Sequence, residues 1–235
     1  MDRNVVIKCR KCGMPLKKGT KVCSYCHKRT GFFVRAPKEA KETQAMKPGI
    51  RAGHIIIPIP WVSLVLILLN IGAAIYKLSA GGNEVLYRYG MVAGAIQRGE
   101  WMRVIASSFL HADFLHLASN MYALVIYGFL FENRIGRGRY ALIYLMGILG
   151  AGLLITFAGG NGLHIGASGA IWGLMTANLV YCLKTKRKFL YLIYALFAVA
   201  GNAVYSFAAG ISWQGHLGGA IAGLAAGLLL FRKTE

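Results

Sequence analysis

The chain has 235 residues, 56% of them hydrophobic, yet 27 Lys and Arg stand against 8 Asp and Glu, for a formal net charge of +19. Ordinary soluble domains are about 25% charged; here the fraction is 15% with a mean hydropathy of +0.51, which conflicts with a soluble enzyme. So basic a soluble protein would suggest nucleic-acid binding, but 14 of the basic residues fall within residues 1–53 beside only Asp2, Glu39 and Glu42, leaving an apolar remainder that reads as a membrane body.

The head comes first. Its start, MDRNVVIKCRKC, has no apolar core or small-residue cleavage site, so no cleavable signal peptide is expected. Cys9, Cys12, Cys23 and Cys26 form a C-x2-C-x10-C-x2-C set. Two such knuckles bring four thiolates to one tetrahedral Zn²⁺. Incidental thiols or two disulfides are the alternatives, and a reducing cytoplasm disfavours disulfides. So small a unit buries too little to hold itself together, so the metal is expected to supply its stability. Four Cys ligands close the coordination sphere, which makes this zinc structural. The head, residues 1–35, is therefore expected to recruit or regulate. Its basic residues suit a cytoplasmic protein or anionic lipid headgroups, with nucleic acid the weaker alternative. Residues 36–54 read as a polar linker.

Residues 55–235 divide into apolar runs, each judged against the roughly 20 residues that span hydrocarbon. Ile55 to Tyr76 is uncharged, with Pro58 and Pro60 near its start, and Phe114 to Phe131 is a second run. The long uncharged stretch between Arg139 and Lys184 divides at Gly159-Gly160-Asn161-Gly162, and Phe189 to Phe231 divides near Ala209-Gly210-Ile211-Ser212. Six helices result, so the fold class is an all-α membrane bundle. The loops carrying Arg134, Arg137 and Arg139, and Lys184, Lys186, Arg187 and Lys188, alternate with uncharged ones. The positive-inside bias then puts both termini in the cytoplasm, with only the first long loop (about residues 77–113) out of pattern.

Polar residues inside spans are costly and point to function. His111, His116 and Asn120 lie in and just before the second span. Gly166-Ala167-Ser168-Gly169 opens the fourth after His164, and His216 begins the sixth. This set suits a serine nucleophile with a histidine base. A helix start offers free N–H groups to an oxyanion at Ser168, and Gly166 and Gly169 permit a tight turn. His216 serves only if helices four and six touch. Gly169 and Gly173 on one, and Gly219, Gly223 and Gly227 on the other, have the spacing that lets membrane helices meet. His116 and Asn120, four apart, share a helix face and can donate to one oxyanion. Rival mechanisms lack their groups: there is no carboxylate pair for an aspartyl protease, no His-Glu pair for a zinc protease, and no acid between Glu132 and Glu235 for a triad.

The order H-x4-H-x3-N, GxSG and H-x2-G-x3-G, over six spans, resembles the rhomboid family of intramembrane serine proteases, from about Pro58 to Phe231. The resemblance implies Ser168 as nucleophile, His216 as base, and an oxyanion hole of His116, Asn120 and the Ser168 N–H. It makes His111 a residue of the water-accessible pocket and Trp172 the aromatic packed on the catalytic histidine. Gly128 and Glu132 match the GxxxE that closes helix two, and the first loop matches the family's membrane-embedded L1 loop. One departure stands out: the family's Trp-Arg pair here is Met102-Arg103, with Trp101 one place early.

The expected function is cleavage of transmembrane protein substrates near the extracytoplasmic face, by a multi-pass enzyme of a prokaryotic plasma membrane. The alternative is a catalytically silent relative acting as a membrane-protein binder or quality-control adaptor; a transporter would want charged residues at span centres, and these are lacking.

Overall fold

The computed structural model describes residues 7–8, 15–16, 23, 49–52, 55–158, 162–185, 189–205 and 211–232. The chain divides into two compact units, Met1–Lys47 and Pro48–Glu235. In the first, β1 (Ile7–Lys8) pairs antiparallel with β2 (Pro15–Leu16). These strands flank Cys9 and Cys12 in sequence, and Cys23 is buried. Cys9, Cys12 and Cys26 lie outside the described residues, as do most of the linker and Lys186, Arg187 and Lys188 of the fourth loop.

The second unit opens with an antiparallel hairpin of β3 (Gly49–Ala52) and β4 (Ile55–Pro58). Helix α1 (Trp61–Ser79) follows Pro60 directly. The first apolar run is thus part strand and part helix. Two prolines close together, each without an N–H, delay the helix to Trp61. It then runs three residues past Tyr76, through Lys77, whose ammonium donates to the carbonyls of His111 (2.9 Å) and Ala112 (2.6 Å).

Helix α1 is the reverse of a helix in water. Its buried residues are Ser63 and Asn70, while Leu68 is 60% exposed and Val65, Leu69 and Ile75 are exposed with it. Such a surface suits hydrocarbon, where apolar side chains gain nothing by hiding and polar groups must find protein partners. Among the described residues, three helices are long and apolar enough to cross a membrane: α1, the run Phe114–Ile135, and Arg137–Ala158. The second is α5 (Phe114–Tyr127), continued through a π-helical turn (Gly128–Glu132) and a short α6 (Asn133–Ile135). Between α1 and α5 the first loop folds into α2 (Asn83–Tyr89), α3 (Ala93–Gln97) and α4 (Met102–Ser107).

Three further helices complete the described bundle after α7 (Arg137–Ala158): α8 (Ser168–Lys184), α9 (Phe189–Tyr205) and α10 (Trp213–Leu230). Helix α7 ends at Ala158 and α10 begins at Trp213, so these limits flank the two Gly-containing stretches. Helix α8 is buried along most of its length and packs against α7, α9 and α10. Close contact comes from glycine. A Cβ on Gly219 would meet the Gly169 carbonyl oxygen, one on Gly223 the Gly173 oxygen, and one on Gly147 the Ala170 Cα at 2.8 Å. Without a side chain between them the backbones approach until van der Waals contact is continuous, which is the main attraction left once hydrophobic driving force is gone.

The far end is tied by Glu132. Its buried carboxylate accepts the backbone N–H groups of Val62 and Ser63 (both 2.9 Å) and the Ser63 hydroxyl (2.8 Å). Pro60 caps α1 with no side-chain bond, so an acid from another helix satisfies its first turn and meets its positive dipole end. Gly128, one turn earlier, makes room: a Cβ there would lie 2.6 Å from Ser63 Oγ.

Candidate active site

Ser168 is the first residue of α8, and His216 lies in the first turn of α10. His216 Nε2 and Ser168 Oγ are 2.8 Å apart, a hydrogen bond joining residues 48 apart in sequence. Touching glycines bring them together: a Cβ on Gly169, next to the serine, would lie 3.1 Å from the Gly215 oxygen, next to the histidine. The Trp172 ring, one turn along α8, tilts against the His216 imidazole at 5.8 Å between centroids. His216 is buried, and both residues line the same small cavity.

The segment before Ser168 is fixed by its backbone. His164 and Met91 exchange hydrogen bonds as an antiparallel bridge (His164 N–H to Met91 O 2.8 Å, Met91 N–H to His164 O 3.0 Å). Gly166 donates its N–H to the Ser107 carbonyl at 2.9 Å. Its φ of +115° requires glycine, and a Cβ there would also strike the His116 ring, 2.7 Å from Nε2. His116 therefore lies against the GxSG turn. Asn120 is buried below it and donates Nδ2–H to the His116 carbonyl at 2.7 Å. The His111 and His116 rings meet edge to face, 4.9 Å between centroids, and His111 is buried.

Asp113 starts α5. Its carboxylate accepts the His116 N–H at 2.8 Å, and this bond holds its carboxyl below the usual carboxylate range. Arg103 organises the first loop, donating to the carbonyls of Tyr87 (2.7 Å) and Gly90 (2.9 Å) and to Glu100 (2.6 Å). Met102 is 77% exposed.

The structure thus gathers Ser168, His216, Trp172, Gly166, Gly169 and Gly219 where α8 meets α10, with His116, Asn120 and His111 on the α5 side. Two residues that sequence reasoning gave no role join the first group. His164 Nδ1 and Ser212 Oγ are 2.7 Å apart and line the same cavity as the serine and histidine. No motif announces them. Their one visible signal is that each stands four residues before a member of the Ser168–His216 pair.

The Rhomboid domain family model matches residues 98–233, more than half of the chain. RHOMBOID-like protein 6, mitochondrial, of Arabidopsis thaliana is 32% identical over 144 residues, 60% of this chain and 47% of that protein. Rhomboid protease GluP of Bacillus subtilis is 36% identical over 152 residues, 63% of this chain and 30% of its own length. Rhomboid-type serine protease 2 of Emericella nidulans is 33% identical over 141 residues, 58% of this chain and 28% of its own. The chain therefore spans about half or less of these relatives. The matched segment runs from the first loop through Ser168 and His216 to the end of α10, and the chain belongs to the rhomboid family.

Proposed function

We propose that this chain is an intramembrane serine endopeptidase that cleaves transmembrane segments of other proteins with a Ser168–His216 dyad. The observation that carries the reading is the 2.8 Å contact between Ser168 Oγ and His216 Nε2 at the start of a helix buried in an apolar bundle. In the proposed reaction Ser168 Oγ attacks the scissile carbonyl carbon while its proton passes to His216 Nε2. The C–N bond then breaks as His216 returns that proton to the leaving amine, and water hydrolyses the acyl-enzyme by the same relay. The carbonyl oxygen becomes an oxyanion at the N–H groups of the α8 start, joined by His116 and the second amide hydrogen of Asn120. Trp172 holds the imidazole face, and His111 packs edge to face on His116.

The reading includes six spans, α1, α5, α7, α8, α9 and α10, with both termini cytoplasmic, so that α8 begins near the extracytoplasmic face. It also keeps the zinc ribbon. Cys9, Cys12, Cys23 and Cys26 would hold one structural Zn²⁺, supported by the hairpin that flanks the first cysteine pair and by the burial of Cys23. The decisive test is cleavage of a model transmembrane substrate in proteoliposomes, together with labelling by a fluorophosphonate. Wild type should cleave and label, and Ser168→Ala should do neither. Equal cleavage by both would exclude the mechanism, and a wild type inert in both assays would favour the silent-adaptor alternative.

A further inference from the structure

The Ser168–His216 contact has a neighbour of the same chemistry. His164 and Ser212 each precede a member of that pair by four residues, are likewise 48 apart in sequence, and meet at 2.7 Å. We propose that His164 and Ser212 are positioning residues that set the register of α8 against α10 and so hold Ser168 at reacting distance from His216. This inference rests on the serine–histidine mechanism above.

The need for such a device follows from the packing. Glycine faces bring α8 and α10 into backbone contact, but a surface without side chains has few knobs to lock into holes. Such faces fix how close two helices lie and leave sliding along the axis weakly specified. Hydrogen bonds between the helices must supply the register. Thr176 Oγ1 provides one, donating to the Ala220 carbonyl at 2.9 Å, two turns in from the reacting atoms. The His164–Ser212 bond provides another at the end where chemistry occurs.

Ser212 is suited to the task because it is already rigid. It is the N-cap of α10, where its Oγ accepts the Gly215 N–H at 3.2 Å and its carbonyl accepts the His216 N–H at 3.1 Å. A hydroxyl has two lone pairs and one hydrogen, so capping leaves it free to bond His164 in either tautomer. His164 is fixed by its backbone bridge to Met91. Helix α8, by contrast, starts with no side-chain cap, immediately after the permissive Gly166. The bridge to Met91 and the Gly166–Ser107 bond hold this segment to the first loop. The His164 side chain ties it also to the helix carrying His216.

The test uses the full chain in proteoliposomes, reading kcat and KM on a model transmembrane substrate and the rate of fluorophosphonate labelling. An ångström of misplacement costs up to about 100-fold in rate. His164→Ala should therefore lower kcat and labelling by about 10- to 100-fold with KM nearly unchanged. His164→Phe, which keeps a ring but loses the nitrogen, should fall equally, so the test survives if the alanine variant does not fold. His164→Asn, whose amide reaches the place of Nδ1, should recover most of the rate, and Ser212→Thr should stay near wild type. The double variant His164→Ala/Ser212→Ala should be no slower than its slower parent, because the two act through one bond. Wild-type rates in His164→Phe, multiplied losses in the double variant, or a loss confined to KM would overturn the assignment. An inert wild type strikes instead at the proposed protease. An active wild type, inactive Ser168→Ala and fully active His164 variants strike at this inference alone.

Discussion

Gly219 of α10 rests directly on the carbonyl of Gly169 in α8, so the helix that bears the proposed base touches the residue after the proposed nucleophile. A methyl group there has nowhere to go, since its neighbour is backbone and cannot rotate away. Gly219→Ala should separate the two helices, lower the thermal midpoint of the solubilised protein in line with an overpacking cost of about 1–3 kcal/mol, and reduce cleavage at least 10-fold. Gly201 is the control. A Cβ on it meets nothing within 4 Å, and Gly201→Ala in α9 should leave activity intact and gain slightly in helix propensity.

Glu132 should prove a stability residue with little direct part in chemistry. Glu132→Ala removes the acceptor of three donors, of which the Ser63 N–H and hydroxyl are buried. At roughly 1–3 kcal/mol for each of the two orphaned buried donors, the variant should lose about 2–6 kcal/mol, read as a fall in thermal midpoint in detergent. Glu132→Gln keeps one acceptor oxygen and should fall between. A midpoint unchanged in Glu132→Ala would refute this role.

The first loop should depend on Arg103 and not on its neighbour. Arg103 fastens Tyr87 and Gly90, and Gly90 precedes Met91, which bridges to His164 four residues before Ser168. Arg103→Ala should therefore slow cleavage by about 10-fold, and Arg103→Lys, without the planar fork, should recover only part of it. Met102→Trp, at an exposed position, should change neither rate nor stability.

Asp113 gives a pH dependence with a defined sign. Bonding to the His116 N–H lowers its folded pKa, so the cap stabilises α5 fully above the ordinary unfolded carboxylate value near 4. That contribution is lost as pH falls through the lower folded value. Asp113→Asn, which can still cap, should keep the thermal midpoint near that of wild type at neutral pH and lose the acid-dependent part. Asp113→Ala should be less stable at neutral pH, and its deficit should shrink in acid. A deficit that grows in acid would contradict the assignment.

Several of these features were legible before any coordinates. Uncharged runs locate the apolar helices because charge is expensive in hydrocarbon, but not their limits: α1 starts only at Trp61, inside its run, and α7 already at Arg137, before its own. Four-residue glycine spacing pointed to contact between α8 and α10, since little else draws helices together in lipid. What stayed hidden was non-periodic. Nothing in Pro58 or Pro60 says that the residues before them pair as a hairpin. Glu132 matched a family pattern, but its capping of α1 depends on a neighbour some seventy residues earlier. The His164–Ser212 bond joins two loop ends whose local sequences carry no sign of each other.

The 48-residue separation between Ser168 and His216 also has a consequence for biosynthesis. The ribosome makes the proposed nucleophile well before its proposed base, with α9 and the start of α10 still to come. A nascent chain that has reached the end of α8 carries a serine at a helix start but not yet the proposed partner for its proton. In the proposed mechanism the dyad is therefore complete only once α10, the last described helix, has been made.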